Sequence, residues 1–447
     1  MGLGILGGGI NTAKWLLKQG VKLTITDLRT KKQLSSSLKS LGSLKKQIKF
    51  ISGKHDEKDI LENEIIVINP GIPLQNPYLR LAIKKGKQIE NELSLFYKSL
   101  PFEASAKNGK NIIAVTGTRG KTTTTNWTHH LIKAKFPNAI IAGNSPDRPL
   151  LQAIDNVKKN APVIIEVPSF LLEHSGNFNP KIAVITNIYK DHLNRYESFK
   201  HYILTKANIF RNQTKKDLLI LNKNNLYTKF LLKQSASWRI KSRVLFFSNE
   251  SVFFDTESFK KKWGEHNFEN LSAAVLTALH FGISRKMIKK SVDTLPQIKF
   301  RQELVYKNHN LEIHNDTTAT SPEATIAAVK RFKKEGNNLI LITGGTDMKL
   351  DFSLLAKIIK QLLSPKSVVF LDGSATVKLK KELKWKKIRA FNSLAKCLNA
   401  ALKLVNKDKS IIVFSPGSKS FEKFKNEYDR GEQFNKLVHE IFHPKRN

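Results

Sequence analysis

The chain has 447 residues, 40% of them hydrophobic and 25% charged, which suits a soluble globular protein of roughly three domains. No apolar run approaches the roughly 18 residues of a membrane-spanning helix, and no basic-then-apolar leader opens the sequence, so a cytoplasmic protein without a membrane span is expected. The formal net charge of +39 comes from 62 Lys and 14 Arg spread over the whole length; with no aromatic-interleaved basic stripe and no zinc-ligand spacing, no nucleic-acid partner is expected, though such a field can steer anionic substrates.

The first block alternates helical and strand patterns. "MGLGILGGGINTAKWLLKQG" is a glycine cluster followed by an amphipathic helix. "VKLTITD" is an alternating strand ending in Asp27, and "EIIVINPGIP" is an apolar strand running into a Pro-Gly turn. Strands alternating with helices imply a parallel, doubly wound sheet. In such folds a buried strand leads into the glycine turn, yet only Met1 precedes Gly2, so either the first strand is absent or the start of the chain is assigned too late, a truncated or misassigned start being the expectation.

A second block begins near Lys107. "NIIAVTGT" is a strand, and "GTRGKT" follows it and opens a helix. The usual phosphate loop has Gly, four residues, then Gly-Lys-Ser/Thr. Counting back from Gly120-Lys121-Thr122 puts that first glycine at Val115; the nearest one, Gly117, makes the loop two residues shorter. The context still suits phosphate, because backbone N–H groups and the helix dipole favour an anion. Lys121 can reach terminal phosphates, and the Thr122 hydroxyl can ligate Mg²⁺.

Further buried strands follow in "APVIIEVPSF", "KIAVITNI", "DLLILN" and "RVLFFS". Glu166 stands at the end of the first, where carboxylates near a phosphate loop commonly hold Mg²⁺. "TNIYKDHLNRY" offers His192 as a metal ligand and Asp191 to orient it. In "YILTKANIF", Lys206 sits among apolar residues: it is either a snorkelling surface lysine or a buried one that must be paired or chemically changed. "GEHNFENLSAA" places Asn267 and Asn270 at a helix start, where they could cap it or contact a base.

The third block starts near Lys299. Its buried strands "NNLILITGG", "KSVVFLDG" and "SIIVFSPGS" each meet a glycine turn. "HNDTTATSPEAT" puts Asp316 after a strand, suited to a ribose hydroxyl. Lys349 follows Gly344-Gly345, and Phe424 lies in a segment rich in hydroxyls and lysines. All these groups fall at strand carboxyl ends, where open α/β sheets bind ligands. Cys397, the single cysteine, sits in the amphipathic "SLAKCLNAAL"; it reads as a core thiol and allows no intrachain disulfide.

Taken together, the chain resembles the Mur ligases over essentially its full length. The short "GTRGKT" loop is that family's version of the phosphate loop. "NPGIP" (69–73), "AGN" (142–144), "EVPSFLLE" (166–173), "DHLNRY" (191–196), "HNFEN" (266–270), "NDTTAT" (315–320) and "SPGSKSFEKFKNEYDRG" (415–431) carry the resemblance further. The last resembles the segment that receives D-glutamate, and the Asp-Asn-Pro-Arg motif of members adding diaminopimelate or lysine is absent. The resemblance therefore implies a cytoplasmic, monomeric ligase that uses ATP and two Mg²⁺ ions to join D-glutamate to UDP-N-acetylmuramoyl-L-alanine through an acyl phosphate. It implies an α/β fold of three domains: a Rossmann-like domain for the UDP substrate (1–103), a central ATPase-type parallel-sheet domain (104–298) and a C-terminal Rossmann-like domain (299–447).

Residue by residue, the resemblance assigns Gly117, Thr118, Arg119, Gly120, Lys121, Thr122 and Thr123 to the ATP phosphates. Asn267, Asn270, Arg301 and Asp316 would contact the rest of the nucleotide. Thr122, Glu166, His192 and a carbamylated Lys206 would hold magnesium, with Lys121, Lys206, His192 and Glu166 forming the catalytic set. Leu6, Asp27, Arg29, Gly71 and Asn144 would line the UDP-substrate site, and Lys349, Ser420, Phe421 and Phe424 would frame D-glutamate. Departures concentrate at the UDP site, where Leu6 and Leu28 stand in place of Thr. Elsewhere, Thr318 replaces a customary Lys, Pro168 a Ser, and Lys190 an acidic residue beside Asp191. Another ligase of the superfamily, a nucleic-acid-stimulated ATPase and an inactive pseudo-ligase are the competing readings.

Overall fold

The computed structural model describes all residues except 6, 101–110, 146, 159, 192–194, 236–239, 335–337, 387, 408 and 444–447. It divides into two compact units, residues 1–296 and 297–447.

The first unit starts with two small parallel pairs. Strand β1 (Leu23–Asp27) pairs with β2 (Ile48–Ser52), and β3 (Ile65–Val67) pairs with β4 (Gln88–Glu90). Between them runs the start of the chain: the Met1 amino group donates to Val67 O, Asn69 N–H donates to Met1 O, and Gly2 N–H donates to Thr26 O. Met1 and Gly2 thus bridge the two pairs by backbone bonds where a central strand is expected, without forming a strand of their own. Gly9 has to be glycine here, because a Cβ would lie 2.3 Å from Leu3 O.

The larger part of this unit is a six-stranded parallel sheet formed by β5 (Ile112–Thr116), β6 (Ile140–Gly143), β7 (Val163–Glu166), β8 (Ile182–Ile185), β9 (Leu218–Asn222) and β10 (Arg243–Phe247). Its order is β10-β9-β8-β5-β7-β6. Every residue of β5, β7, β8 and β9 is buried. That is why these strands read as unbroken apolar runs: helices cover both faces. β5 lies between β7 and β8, so the chain changes direction across the sheet there, and the loop leaving β5 opens at the switch point. The helix Glu92–Ser99 packs Leu93 and Phe96 into the same core. The helices Lys121–Lys133 and Phe268–His280 pack against each other.

In the second unit, β11 (Glu303–Lys307), β12 (Leu311–Asn315), β13 (Asn338–Thr343), β14 (Val368–Leu371), β15 (Arg389–Phe391) and β16 (Ser410–Phe414) form a sheet of order β11-β12-β16-β13-β14-β15. Only β11 is antiparallel. Cys397 is fully buried, and burial pushes its thiol up to about 12. Among the described residues, no helix is long and apolar enough to cross a membrane.

Trp127 anchors the helix after the phosphate loop. It is 1% exposed and meets Phe259 and Trp263 edge-on at 5.5 and 5.4 Å between ring centres. Trp127→Ala should destabilise the protein by about 3–5 kcal/mol, the usual range for a large buried aromatic, as read by urea unfolding.

Candidate active site

The loop after β5 is held from two sides. Thr118 N–H donates to Asn187 O at 2.9 Å, and Arg119 N–H donates to Asn187 Oδ1 at 2.9 Å. Thr186 Oγ1 and Asn187 Nδ2 both donate to Arg119 O, at 2.6 and 3.2 Å. The two glycines fit with no spare room. Gly117 has φ 149°, and a Cβ on it would lie 1.9 Å from Thr186 Oγ1. Gly120 has φ 78° and begins the helix Lys121–Lys133; its Cβ would lie 2.1 Å from Asn270 Oδ1. The Lys121 ammonium donates to Thr118 O at 3.1 Å, so it lies over the loop it belongs to. Thr122 and Thr123 form the first helical turn, where N–H groups have no intrahelical partner and favour an anion.

Asn267 and Asn270 come to the same place. Asn270 Oδ1 accepts from Thr124 Oγ1 at 3.3 Å, and its amide donates to Asn267 Oδ1 at 3.0 Å. Asn267 occupies the N-cap of the helix Phe268–His280 but makes no side-chain cap bond; its amide donates back to Trp263 O. Of the two roles open from sequence, capping is not the one it takes.

Lys206 resolves the choice between snorkelling and burial: it is 1% exposed. Its amine donates to Gly117 O at 2.8 Å and lies 4.7 Å from the centre of the Tyr202 ring. Burial, helped by the neighbouring Lys121 charge, drives its pKa well below the usual lysine value, with Asp191 and Glu166 pulling the other way. Lys121, Lys206, Glu166 and Asp191 are therefore one electrostatic cluster at the carboxyl ends of β5, β7 and β8. Glu166 is 5% exposed, and no hydrogen bond engages its carboxylate among the described residues. A buried carboxylate at a strand end, in the electrostatic reach of an amine of low basicity, suits a hard cation. Among the described residues, protein carboxylates and imidazoles alone form no metal-holding group of three. His192 lies outside the described residues.

At the first glycine turn, Asp27 is 2% exposed. Its Oδ2 accepts from Gly4 N–H and its Oδ1 from Arg29 N–H, both at 2.9 Å, with the Arg29 guanidinium 3.5 Å away. The carboxylate thus shapes the turn itself. Gly71 N–H donates to Asn69 Oδ1 at 3.0 Å, and Asn144 is exposed just beyond β6. Leu6 lies outside the described residues.

In the second unit, Asp316 is buried between β12 and β16; it accepts from Ser415 Oγ at 2.8 Å and Gln302 N–H at 3.1 Å. Burial pushes its carboxyl up to about 7. Arg301 is flanked by Phe300 and Gln302, both at positive φ, 66° and 49°. Such backbone costs of order 1 kcal/mol or more for a side-chain-bearing residue and clusters at functional sites. Lys349 is also left-handed, at φ 61°. The loops carrying Lys349 and Ser420 are tied together by reciprocal bonds between Thr346 and Lys419. Ser420 is 2% exposed, with no partner for its hydroxyl among the described residues; Phe421 is exposed and Phe424 half-buried.

Thr186, Asn187 and Tyr202 were not singled out from sequence, although all three contact the phosphate loop or Lys206. The available signal was the polar pair ending an otherwise apolar strand in "KIAVITNI". Tyr202 carried none; its hydroxyl lies 3.1 Å from Thr118 Oγ1.

Gly120→Ala should weaken ATP binding at least tenfold, about 1.4 kcal/mol, in calorimetric titration. Asp316 makes stability pH-dependent. Below about pH 4 it is protonated folded and unfolded, and its contribution to stability is full. As pH rises towards 7 the unfolded chain releases the proton first, and the contribution is lost. The melting temperature of Asp316→Asn relative to the parent should therefore climb by several degrees between pH 4 and pH 8.

Comparison with known proteins accords with this geometry. The family description "Mur ligase middle domain" matches residues 115–275, and "Mur ligase MurD-like, N-terminal domain" matches residues 1–91. The UDP-N-acetylmuramoylalanine–D-glutamate ligase of Borreliella afzelii is 37% identical, covering 98% of this chain and 96% of its own. The ligase of the same name from Roseiflexus is 34% identical, with coverage of 98% and 97%. Among solved structures, UDP-N-acetylmuramate–alanine ligase from Thermotoga maritima superposes with a TM-score of 0.58 at 18% identity, covering 98% of both chains, which speaks to the fold. The chain belongs to the Mur ligase family.

Proposed function

We propose that this chain is an ATP-dependent ligase that joins D-glutamate to UDP-N-acetylmuramoyl-L-alanine in peptidoglycan precursor synthesis. The observation that carries the reading is the buried Lys206 amine against the phosphate loop, in a chain collinear from end to end with D-glutamate ligases. An amide cannot form directly from a carboxylate and an amine at neutral pH, because the carboxylate is a poor electrophile. The terminal phosphoryl group of ATP passes to the alanyl carboxylate, and ADP leaves. The D-glutamate amine then attacks the acyl carbon, and phosphate departs.

Residues 117–123 hold the phosphates, through Lys121 and the N–H groups of 120–123, with Thr118 and Arg119 tied to Asn187 to set the loop; these donors offset the charge that spreads during transfer. Asn267, Asn270, Arg301 and Asp316 take the rest of the nucleotide. The residues present fit magnesium: Thr122, Glu166, His192 and Lys206 as its carbamate would hold two ions, which supply charge neutralisation at the transferring group. Burial favours the neutral form of the Lys206 amine, the form that adds CO₂, and carbamylation would convert it into an anionic ligand. Leu6, Asp27, Arg29, Gly71 and Asn144 position the UDP substrate. Lys349 meets the D-glutamate carboxylates, with Ser420, Phe421 and Phe424 around them. The proposed division of labour is 1–103 for the UDP substrate, 104–298 for ATP and 299–447 for the amino acid and nucleotide, in a monomeric cytoplasmic enzyme.

The purified protein, given ATP, Mg²⁺ and UDP-N-acetylmuramoyl-L-alanine, should release ADP with D-glutamate and not with L-alanine, L-lysine or L-glutamate; phosphate release driven by DNA or RNA instead would overturn the reading. Lys206→Ala should lose at least about 10³-fold in kcat, the scale of removing a positioned electrostatic group, and regain part of it in acetate or formate. Absence of rescue would remove the carbamate from the scheme.

A further inference from the structure

Arg195 ends the segment that carries Asp191 and His192, and no role has yet been given to it. Its guanidinium joins two other parts of the first unit. Nε and Nη2 donate to the two oxygens of Glu173, each at 2.7 Å. Nη1 donates to Pro70 O, and Nη2 also donates to Ile72 O at 3.1 Å. The Arg195 and Glu173 side chains are 17% and 1% exposed. Glu173 closes the segment that begins at Glu166, and Phe170 of that segment lies 6.0 Å from the guanidinium carbon.

The contact with the turn is specific. The Pro70 carbonyl and the Gly71 N–H belong to one peptide plane. Arg195 holds the carbonyl end of that plane, and Asn69 Oδ1 accepts from the N–H end at 3.0 Å. The second carbonyl, at Ile72, fixes the exit of the same turn. A planar fork with five donors can satisfy a carboxylate and two carbonyls at once; an ammonium cannot span them in this geometry.

We propose that Arg195 is a positioning residue that couples the Pro70–Ile72 turn to the segment that runs from Glu166 to Glu173. Seating the UDP substrate on the turn and assembling the phosphoryl-transfer site are then one energetically linked event. This rests on the reading above, in which Gly71 meets the UDP substrate.

The test compares the full-length protein with Arg195→Lys, which keeps the charge and loses the fork, and Glu173→Gln, which keeps the shape and loses the charge. Binding of UDP-N-acetylmuramoyl-L-alanine and of a non-hydrolysable ATP analogue with Mg²⁺ is measured by calorimetry, alone and together. Hydrogen exchange is read at residues 69–73, with melting temperature as the control for folding. Arg195→Lys should bind the UDP substrate at least tenfold more weakly and the ATP analogue within twofold of the parent. It should lose the mutual enhancement of the two ligands and exchange faster at Gly71 and Ile72. Glu173→Gln should move the same readouts in the same direction, by less. Unchanged UDP-substrate binding and exchange in either folded variant, or equal loss for both ligands in step with melting temperature, would overturn the proposal. If the parent itself fails to bind the UDP substrate, the functional reading fails instead, while unchanged exchange at the turn would still overturn the clamp by itself.

Discussion

The loop between β5 and its helix has no free volume, and the geometry of the active site follows from that constraint. Thr186 and Asn270 reach to where the β-carbons of Gly117 and Gly120 would be. Both neighbours belong to elements packed on β5 or on the helix that follows it, so the loop cannot shift without moving the sheet. Its backbone carbonyls then have fixed directions. The Thr118 carbonyl takes the Lys121 amine and the Gly117 carbonyl takes the Lys206 amine. Two lysine amines are thereby brought to one loop; burial and the Lys121 charge disfavour the charged form of Lys206, and Glu166 and Asp191 offset only part of that cost.

The parallel sheets were legible in the sequence because their strands are covered on both faces and appear as apolar runs with a polar residue or glycine at the end. The candidate ligand groups sit at those ends, so their chain positions could be read from the same pattern. What could not be read was commitment to a partner. Asp27 was visible as a strand-end carboxylate, but not that both its oxygens would be used on its own turn. Lys206 was ambiguous because a lysine among apolar residues looks alike whether it snorkels or is buried; only the packing of the Phe199–Ala207 helix decides. Arg195 and Glu173 are 22 residues apart, and Arg195 and Pro70 are 125 apart, beyond any periodicity.

The second unit concentrates its irregular backbone where its expected ligand groups lie. Phe300 and Gln302 bracket Arg301 in left-handed conformations, and Asp316 lies beneath them, accepting from Gln302 N–H. Neighbouring bonds hold this backbone in place: Thr318 N–H and Oγ1 both donate to Phe300 O. Strain and its compensation at Phe300 and Gln302 are therefore held together at one corner of the sheet, with Lys349 and Lys384 as separate left-handed positions.

Lys349 shows what such backbone implies for change over generations. A left-handed lysine costs roughly 1–2 kcal/mol relative to glycine, so glycine would be the more stable residue at that backbone position. A population screened only for thermal tolerance should drift towards glycine there, shedding a cation that folding does not require. A population screened for growth on the cell-wall pathway should keep the lysine and tolerate the weaker fold. On the proposed role of Lys349 at D-glutamate, position 349 sets durability against catalytic fitness through a single dihedral angle.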